Sequence, residues 1–501
     1  MLLILFAVAA GARMWRFCGE SLTNDELSSW FRSSYDHPSE VVILGVAPDV
    51  HPPAYQLLLF YVERISQSEE ALRLPSILFG ALTAPLLAHL ALRMRFSTGT
   101  ACLSALLLAL SPFHIWISQL VRPYAMLVFL STLLGLLTLR EAQSVPGGNT
   151  GGRIAYVVIG IVIAYTHYFG TLCCFLSSAA LLVFGRGRLW SRAFALLPPL
   201  SFVPWIPVAL SQIRRGSYIE NTFAPTLMGA WRAFAGWNSP GMAVLALLVA
   251  LGFVRLALSR RSAARSILAA WMVLPVLASL LVSILVVPVM TSRNLTVVIP
   301  PVALLAGLAL DWPASAMARP IAARMSAVLL LLASLTAVRC FVANPERAQF
   351  REAAAFYVER VAPMDSCLVV SYAWNDDYIG YYSNARGIGF HSDVRPVPGR
   401  SCLDEMTERL ACGRYGHVCL IWGHLQPDRG VTAYLDSTCI LEDSVELVAA
   451  GVRLYRLADG LLGLDGTTSP KVPASRCRAS RVPDRSGIPP DVAIGEIEFL
   501  P

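Results

Sequence analysis

Charge is scarce in this chain. Only 15% of the 501 residues are Asp, Glu, Lys or Arg, against about 25% in an average soluble protein, which argues against a soluble globular enzyme. Lysine is nearly missing: of 40 basic residues only Lys471 is a lysine, a bias of composition with no mechanistic content. There is no basic stripe either. The arginines behind the net charge of +7 are scattered through short loops between apolar runs, so the electrostatic footprint of a nucleic-acid binder is lacking. Paired Cys-x-x-Cys spacings are absent, which disfavours a structural zinc site. No internal repeat is visible, and charges within the apolar runs are few, which disfavours a multi-span transporter or lipid flippase, the alternative class for such a chain.

What the sequence has is hydrocarbon. Hydrophobic residues make up 55% of it and mean hydropathy is +0.58; apolar runs of roughly 17 to 22 residues recur, long enough to cross a bilayer as helices. About eleven spans are expected: 1–12 and onward, 71–92, 100–118, 121–139, 154–168, 171–184, 193–210, 242–258, 267–289, 295–310 and 326–342. Arginines cluster at residues 93–95, 140–153, 186–192, 255–265 and 319–324, which fall on one side and make it cytoplasmic by the positive-inside rule. The opposite side receives residues 16–70, 211–240 and everything from about 344. The run at 1–12 has no basic n-region and is expected to be a first transmembrane helix starting a few residues upstream, with Arg13 and Arg16 snorkelling to the outer interface.

Beyond residue 343 the apolar stretches shorten to strand length, at 367–372, 418–422 and 452–455, separated by polar helical patterns such as 347–361. This predicts an extracytoplasmic α/β domain over 344–460, and a loosely ordered Gly/Pro/Ser/Arg-rich tail over 461–501. Cys367, Cys402, Cys412, Cys419, Cys439 and Cys477 permit up to three disulfides there. Cys102, Cys173, Cys174 and Cys340, within spans, read as small apolar residues.

The chemically suggestive residues lie in the outer loops. Asp25 and Glu26 directly follow the first span. Adjacent acids near hydrocarbon must be solvated, paired or used; they also suit a helix N-terminus capped by Thr23 or Asn24. His51-Pro52-Pro53 precedes a short apolar stretch, 52–65, that reads as a helix lying in the interface. His51 can order a turn or meet an anion. Arg122 and Arg293 sit at span ends on the same outer side, where an arginine pairs, snorkels or binds phosphate. Tyr55, Tyr124, His167 and Tyr168 suit a sugar pocket or an aromatic belt.

These residues carry a resemblance. Asp25-Glu26 after the first span, His51-Pro52-Pro53 with its leucine tail, Ala71-Leu72-Arg73-Leu74-Pro75-Ser76 running to Phe79-Gly80, Arg122 and Tyr124, His167-Tyr168-Phe169, and Arg293-Asn294 before Pro300-Pro301 follow in an order that resembles the glycosyltransferase C superfamily. The similarity is to the branch holding protein O-mannosyltransferases and the lipid A aminoarabinose transferase, and it extends over residues 1–310.

That resemblance implies an all-α polytopic membrane domain over 1–343, with interfacial helices in its first outer loop. It implies an inverting transferase that moves a sugar from a polyprenyl-phosphate donor to an acceptor hydroxyl on the extracytoplasmic face of the inner (plasma) membrane. In that chemistry Asp25, helped by Glu26, takes the acceptor's proton. His51, Arg122 and Arg293 stabilise the departing phosphate, and Tyr55, Tyr124, His167 and Tyr168 line the sugar. Some relatives carry an acid near Arg122, a second acidic contact this chain lacks. Without an Asp-x-Asp pair or a P-loop, a soluble nucleotide-sugar donor is disfavoured. No cofactor is required. Asp25, Glu26, Asp36, Glu40 and Asp49 offer oxygens to a hard cation, but no metal is predicted. The partners expected are the lipid-linked donor, membrane lipids and a glycan, lipid or protein acceptor.

Overall fold

A computed structural model describes residues 1–15, 17, 19–144, 150–186, 189–216, 239–259, 262–286, 289–311, 348–372, 376–396 and 400–458. The chain forms two compact units: Met1–Cys18 with Arg32–Asn344, and Gly19–Phe31 with Pro345–Pro501. The segment holding Asp25 and Glu26 thus groups with the carboxy-terminal chain, whereas the sequence pattern puts it within 1–343.

The first unit is helical. Among the described residues four helices are long and apolar enough to cross a membrane: Glu69–Arg93, Tyr124–Gln143, Arg192–Ile213 and Ala263–Leu285. The pair Thr98–Ala109 and Pro112–Ser118, bent by 57°, makes up to five. Shorter apolar helices are Leu2–Met14, Thr150–Ala164, Tyr168–Phe184, Val244–Leu258 and Asn294–Leu310. These segments coincide with ten of the eleven expected spans; the last, 326–342, lies outside the described residues. Serines start several of them: Ser68, Ser97 and Ser111 accept the backbone N–H of Ala71, Thr100 and His114, each satisfying a donor that the first helical turn orphans. Leu74, Leu78 and Leu82 form an exposed stripe four residues apart on the Glu69–Arg93 helix, a surface suited to hydrocarbon rather than water. Where helices meet, small residues let backbones approach. A Cβ on Gly307 would collide with Ser104, and one on Gly80 with Ser118.

Arg13 does not snorkel. It is fully buried and donates to the carbonyls of Ala9 (2.8 Å) and Ala109 (3.0 Å), to Ser118 Oγ (3.1 Å) and to His114 Nδ1 (2.5 Å). The bend after Ala109 supplies acceptors inside the protein, and these replace the interface as the place to satisfy a guanidinium. Arg16 lies outside the described residues.

The second unit carries a four-stranded sheet, β1 (Cys367–Tyr372), β2 (His417–Gly423), β3 (Cys439–Leu447) and β4 (Ala450–Leu457), in the order β1-β2-β4-β3. β1 and β2 are parallel and the other pairings antiparallel. β1 and β2 are buried nearly throughout. One core gathers Leu368, Val370, Val418, Leu420, Trp422 and Tyr455 with Met406 of the Cys402–Leu410 helix and Val431 and Leu435 of the Arg429–Thr438 helix. Phe350 lies against Gly423, where a Cβ would strike its ring. Cys367, Cys402, Cys412, Cys419 and Cys439 are all unbridged. Cys367 faces His417 and Cys419 faces Val369 in the β1–β2 register, so these two thiols sit two residues out of step. Cys340 and Cys477 lie outside the described residues.

Candidate functional site

Each unit holds a constellation of its own. In the second, residues 19–31 are tied to the carboxy-terminal chain by Ser21 Oγ donating to the Ala348 carbonyl, Leu22 N–H donating to Tyr382 Oη, both at 2.6 Å, and Trp30 lying edge-on to Tyr381. Helix Asn24–Ser33 then begins with a reciprocal cap. Glu26 N–H donates to Thr23 Oγ1 at 3.3 Å, and the Glu26 carboxylate accepts Thr23 N–H at 2.9 Å. This capping box satisfies two orphaned donors and buries Glu26. Asp25, one residue before it, is half-buried, and its carbonyl accepts the Ser29 hydroxyl at 3.2 Å.

In the first unit, basic and aromatic side chains from separate segments converge. The two prolines after His51 lack N–H groups; the next residue, Ala54, opens helix Ala54–Glu63 and donates to the Tyr165 carbonyl at 2.8 Å. That bond brings the His51 turn to the break between Thr150–Ala164 and Tyr168–Phe184, where His167 stands. The His51 and His167 rings are 5.5 Å apart, and Tyr124 lies 6.5 Å from the first and 6.0 Å from the second. The Arg122 guanidinium is 5.9 Å from the Tyr124 ring. His167 caps its helix by accepting Phe169 N–H at Nδ1, 3.2 Å away, so in the neutral ring the proton sits on Nε2. Tyr168 donates to Gln212. Tyr55 is fully buried, its hydroxyl 2.9 Å from Ser76 Oγ, which in turn reaches the Arg122 carbonyl at 3.3 Å. Arg293 lies over Trp116, 5.4 Å from the ring centre.

Three further residues stand out in this unit: Asp49, which the sequence pattern offered only as an oxygen donor to a cation, and Gln212 and Glu63, which it did not single out. Asp49 lies between Arg32 Nε (3.3 Å) and His51 Nδ1 (3.6 Å). Burial alone would raise its carboxyl, but Arg32, His51 and Arg122 outweigh burial and hold it well below the usual carboxylate range. Gln212 ties down the same loop, its Nε2 donating to the Val46 carbonyl at 2.7 Å and to the His51 carbonyl at 3.4 Å. Glu63, at the end of its helix, accepts hydrogen bonds from Ser33 and Ser34. Asp49-Val50-His51 is a local signal for the first; Gln212 is 161 residues from its partner and leaves none. Among the described residues no group of three or more His, Cys, Asp or Glu could hold a metal ion.

Residues 56–198 match the family model of dolichyl-phosphate-mannose-protein mannosyltransferase. No curated protein matches the chain. Among solved structures, ArnT from Cupriavidus metallidurans in the apo state superposes with a TM-score of 0.61 at 14% identity, over 92% of this chain and 98% of that one. The chain shares the fold of ArnT. ArnT bound to undecaprenyl phosphate gives 0.58 at 13% identity with the same coverage. AglB from Archaeoglobus fulgidus, an oligosaccharyltransferase in complex with an inhibitory peptide and a dolichol-phosphate, gives 0.50 at 12% identity, over 84% of this chain and 69% of that one. The matched stretch 56–198 holds Arg122, Tyr124, His167 and Tyr168, and begins five residues after His51.

Proposed function

We propose that the protein is an integral-membrane, inverting glycosyltransferase that moves a sugar from a polyprenyl-phosphate donor to an acceptor hydroxyl on the extracytoplasmic side of the inner membrane. The observation that carries this reading is the convergence of His51 and Arg122 with Tyr124 and His167, in a fold that ArnT shares when it binds undecaprenyl phosphate. A lipid phosphate leaves already charged and asks for fixed positive groups rather than an acid. Arg122 supplies one and protonated His51 a second, with Arg293 as a further contact.

In the transfer, the acceptor oxygen bonds to the anomeric carbon as its proton passes to Asp25. The bond from that carbon to the phosphate oxygen breaks, and polyprenyl phosphate departs. Glu26, occupied by its capping box, holds the start of the helix that bears Asp25. Tyr124, His167 and Tyr168 offer ring faces and polar edges to the sugar. Tyr55, enclosed and bonded to Ser76, supports the Arg122 backbone. All eleven apolar segments span the membrane in this reading, and the carboxy-terminal domain is extracytoplasmic.

The test is donor turnover by purified, lipid-reconstituted protein with a panel of short-chain polyprenyl-phosphate sugars. Asp25→Asn should lower turnover roughly a hundred- to ten-thousand-fold with donor affinity nearly unchanged. Arg122→Ala should weaken donor binding about ten- to a hundredfold. Near-normal turnover in the first variant removes Asp25 as the base, and unchanged donor affinity in Ala variants of His51, Arg122 and Arg293 removes the phosphate assignment.

A further inference from the structure

Asp49 is charged, nearly enclosed and adjacent to His51, and the transfer reaction assigns it no part. Its two oxygens are divided. Oδ1 meets Arg32 Nε at 3.3 Å, while Arg32 Nη1 is committed to the Gly45 carbonyl at 2.8 Å. Oδ2 meets His51 Nδ1 at 3.6 Å, with the side chains of His51 and Asp49 only 8% and 9% exposed. That separation is an ion-pair distance slightly too long for a hydrogen bond. The loop between them is fixed: Asp49 N–H donates to the Val46 carbonyl at 2.8 Å, and Gln212, held by Tyr168, clamps Val46 and His51.

We propose that Asp49 is a positioning residue for the donor phosphate: it takes the Nδ1 side of His51, so that the protonated ring presents Nε2–H to the phosphate. The proposal rests on His51 being a phosphate contact. The arrangement is the one in which a carboxylate orients a histidine toward a metal or a nucleophile, here turned toward an anion. Its consequence is specific. With Nδ1–H facing Asp49, a neutral His51 would point a lone pair at the phosphate, so only the imidazolium binds. Arg32 and Arg122 oppose that charge and Asp49 favours it. Among the described residues, His167, whose Nδ1 accepts from Phe169, and Tyr124 also face the His51 ring, and Tyr168 faces Asp49.

The measurement is binding of undecaprenyl phosphate to full-length protein in lipid nanodiscs between pH 5.5 and about pH 9, a range bracketing the ordinary imidazole value. Wild type should bind tightly at the acid end and lose affinity as His51 deprotonates. Asp49→Asn lets an amide donate to Nδ1, which leaves Nε2–H on a neutral ring. Binding should fall about tenfold at the acid end and lose most of its pH dependence, since ionisation of the phosphate is common to both proteins. His51→Lys in the Asp49→Asn background should restore affinity with a fixed charge. Coincident profiles for wild type and Asp49→Asn, or no rescue by the lysine, overturn the proposal. His51→Ala with wild-type affinity at every pH overturns instead the phosphate assignment on which it rests.

Discussion

Glu63 shows how burial sets chemistry one residue at a time. It closes helix Ala54–Glu63 and is nearly buried. Burial pushes its carboxyl up to about 7, against the opposing pull of the Ser33 and Ser34 hydroxyls and of Arg64. Arg64 is directed elsewhere, over the Phe60 ring at 3.3 Å and onto the carbonyls of Tyr35 and Asp36. An acid whose proton is held more tightly folded than unfolded favours folding most at low pH. The favourable contribution is complete below about 4.5, declines as pH rises, and is gone above about 7. A rise of that size corresponds to roughly 3 kcal/mol. Thermal unfolding in detergent should therefore show wild type losing stability from pH 4.5 to 7 relative to Glu63→Gln. Parallel curves for the two proteins would mean that the carboxyl titrates normally.

Among elements, the first helix and the bent pair Thr98–Ala109/Pro112–Ser118 are joined through one side chain. Arg13 reaches the Ala109 carbonyl at the bend and Ser118 beyond it, while Gln119 Nε2 donates to the Arg13 and Trp15 carbonyls at 2.9 and 3.0 Å. The last turn of Leu2–Met14 and the break in the bent pair thus satisfy each other's orphaned groups. Arg13→Met keeps the bulk and removes the donors, leaving buried acceptors at about 1–3 kcal/mol each. A clear fall in melting temperature is expected, with Arg13→Lys falling between it and wild type; an unchanged midpoint for Arg13→Met would show the network to be dispensable. Apolar length alone located these helices, because hydrocarbon demands it locally. It gave Arg13 a plausible destination at the interface and missed the real one, because the acceptors are about a hundred residues away. The same limit separates the strands. β1, β2 and β4 are apolar and readable, whereas β3 alternates half-buried and exposed residues such as Glu442 and Glu446 and carries no apolar run to announce it. For the site, His51, Arg122, Tyr124 and His167 were visible as residue types at span ends, but the Gln212 clamp exists only once the helices have packed.

At the scale of the whole molecule, the ring contacts constrain the topology. His51 follows one apolar segment, Arg122 three and His167 five. Side chains that meet must lie at the same end of a bundle, so an even number of crossings separates each from the next. If every apolar helix crosses, this holds when the bent pair counts as one crossing and fails if it turns back, so the proposed phosphate site requires Thr98–Ala109 with Pro112–Ser118 to form one broken span. In that count Arg93, Arg140 and Arg186 follow even numbers of crossings, the arrangement the positive-inside rule would make cytoplasmic. The carboxy-terminal domain follows ten such segments, or eleven if residues 326–342 also cross. With ten it would lie on the side of Arg93; the bonds of Ser21 to Ala348 and of Leu22 to Tyr382 instead put it on the side of the loop after the first segment, which asks for eleven. Single cysteines at Arg93 and Glu408, both exposed, in a background without native cysteines, separate the cases with an impermeant thiol reagent. Glu408→Cys should label in intact cells and Arg93→Cys only in inverted vesicles. Labelling of both from the cytoplasmic side would leave ten crossings, and the reverse pattern for both would invert the whole molecule.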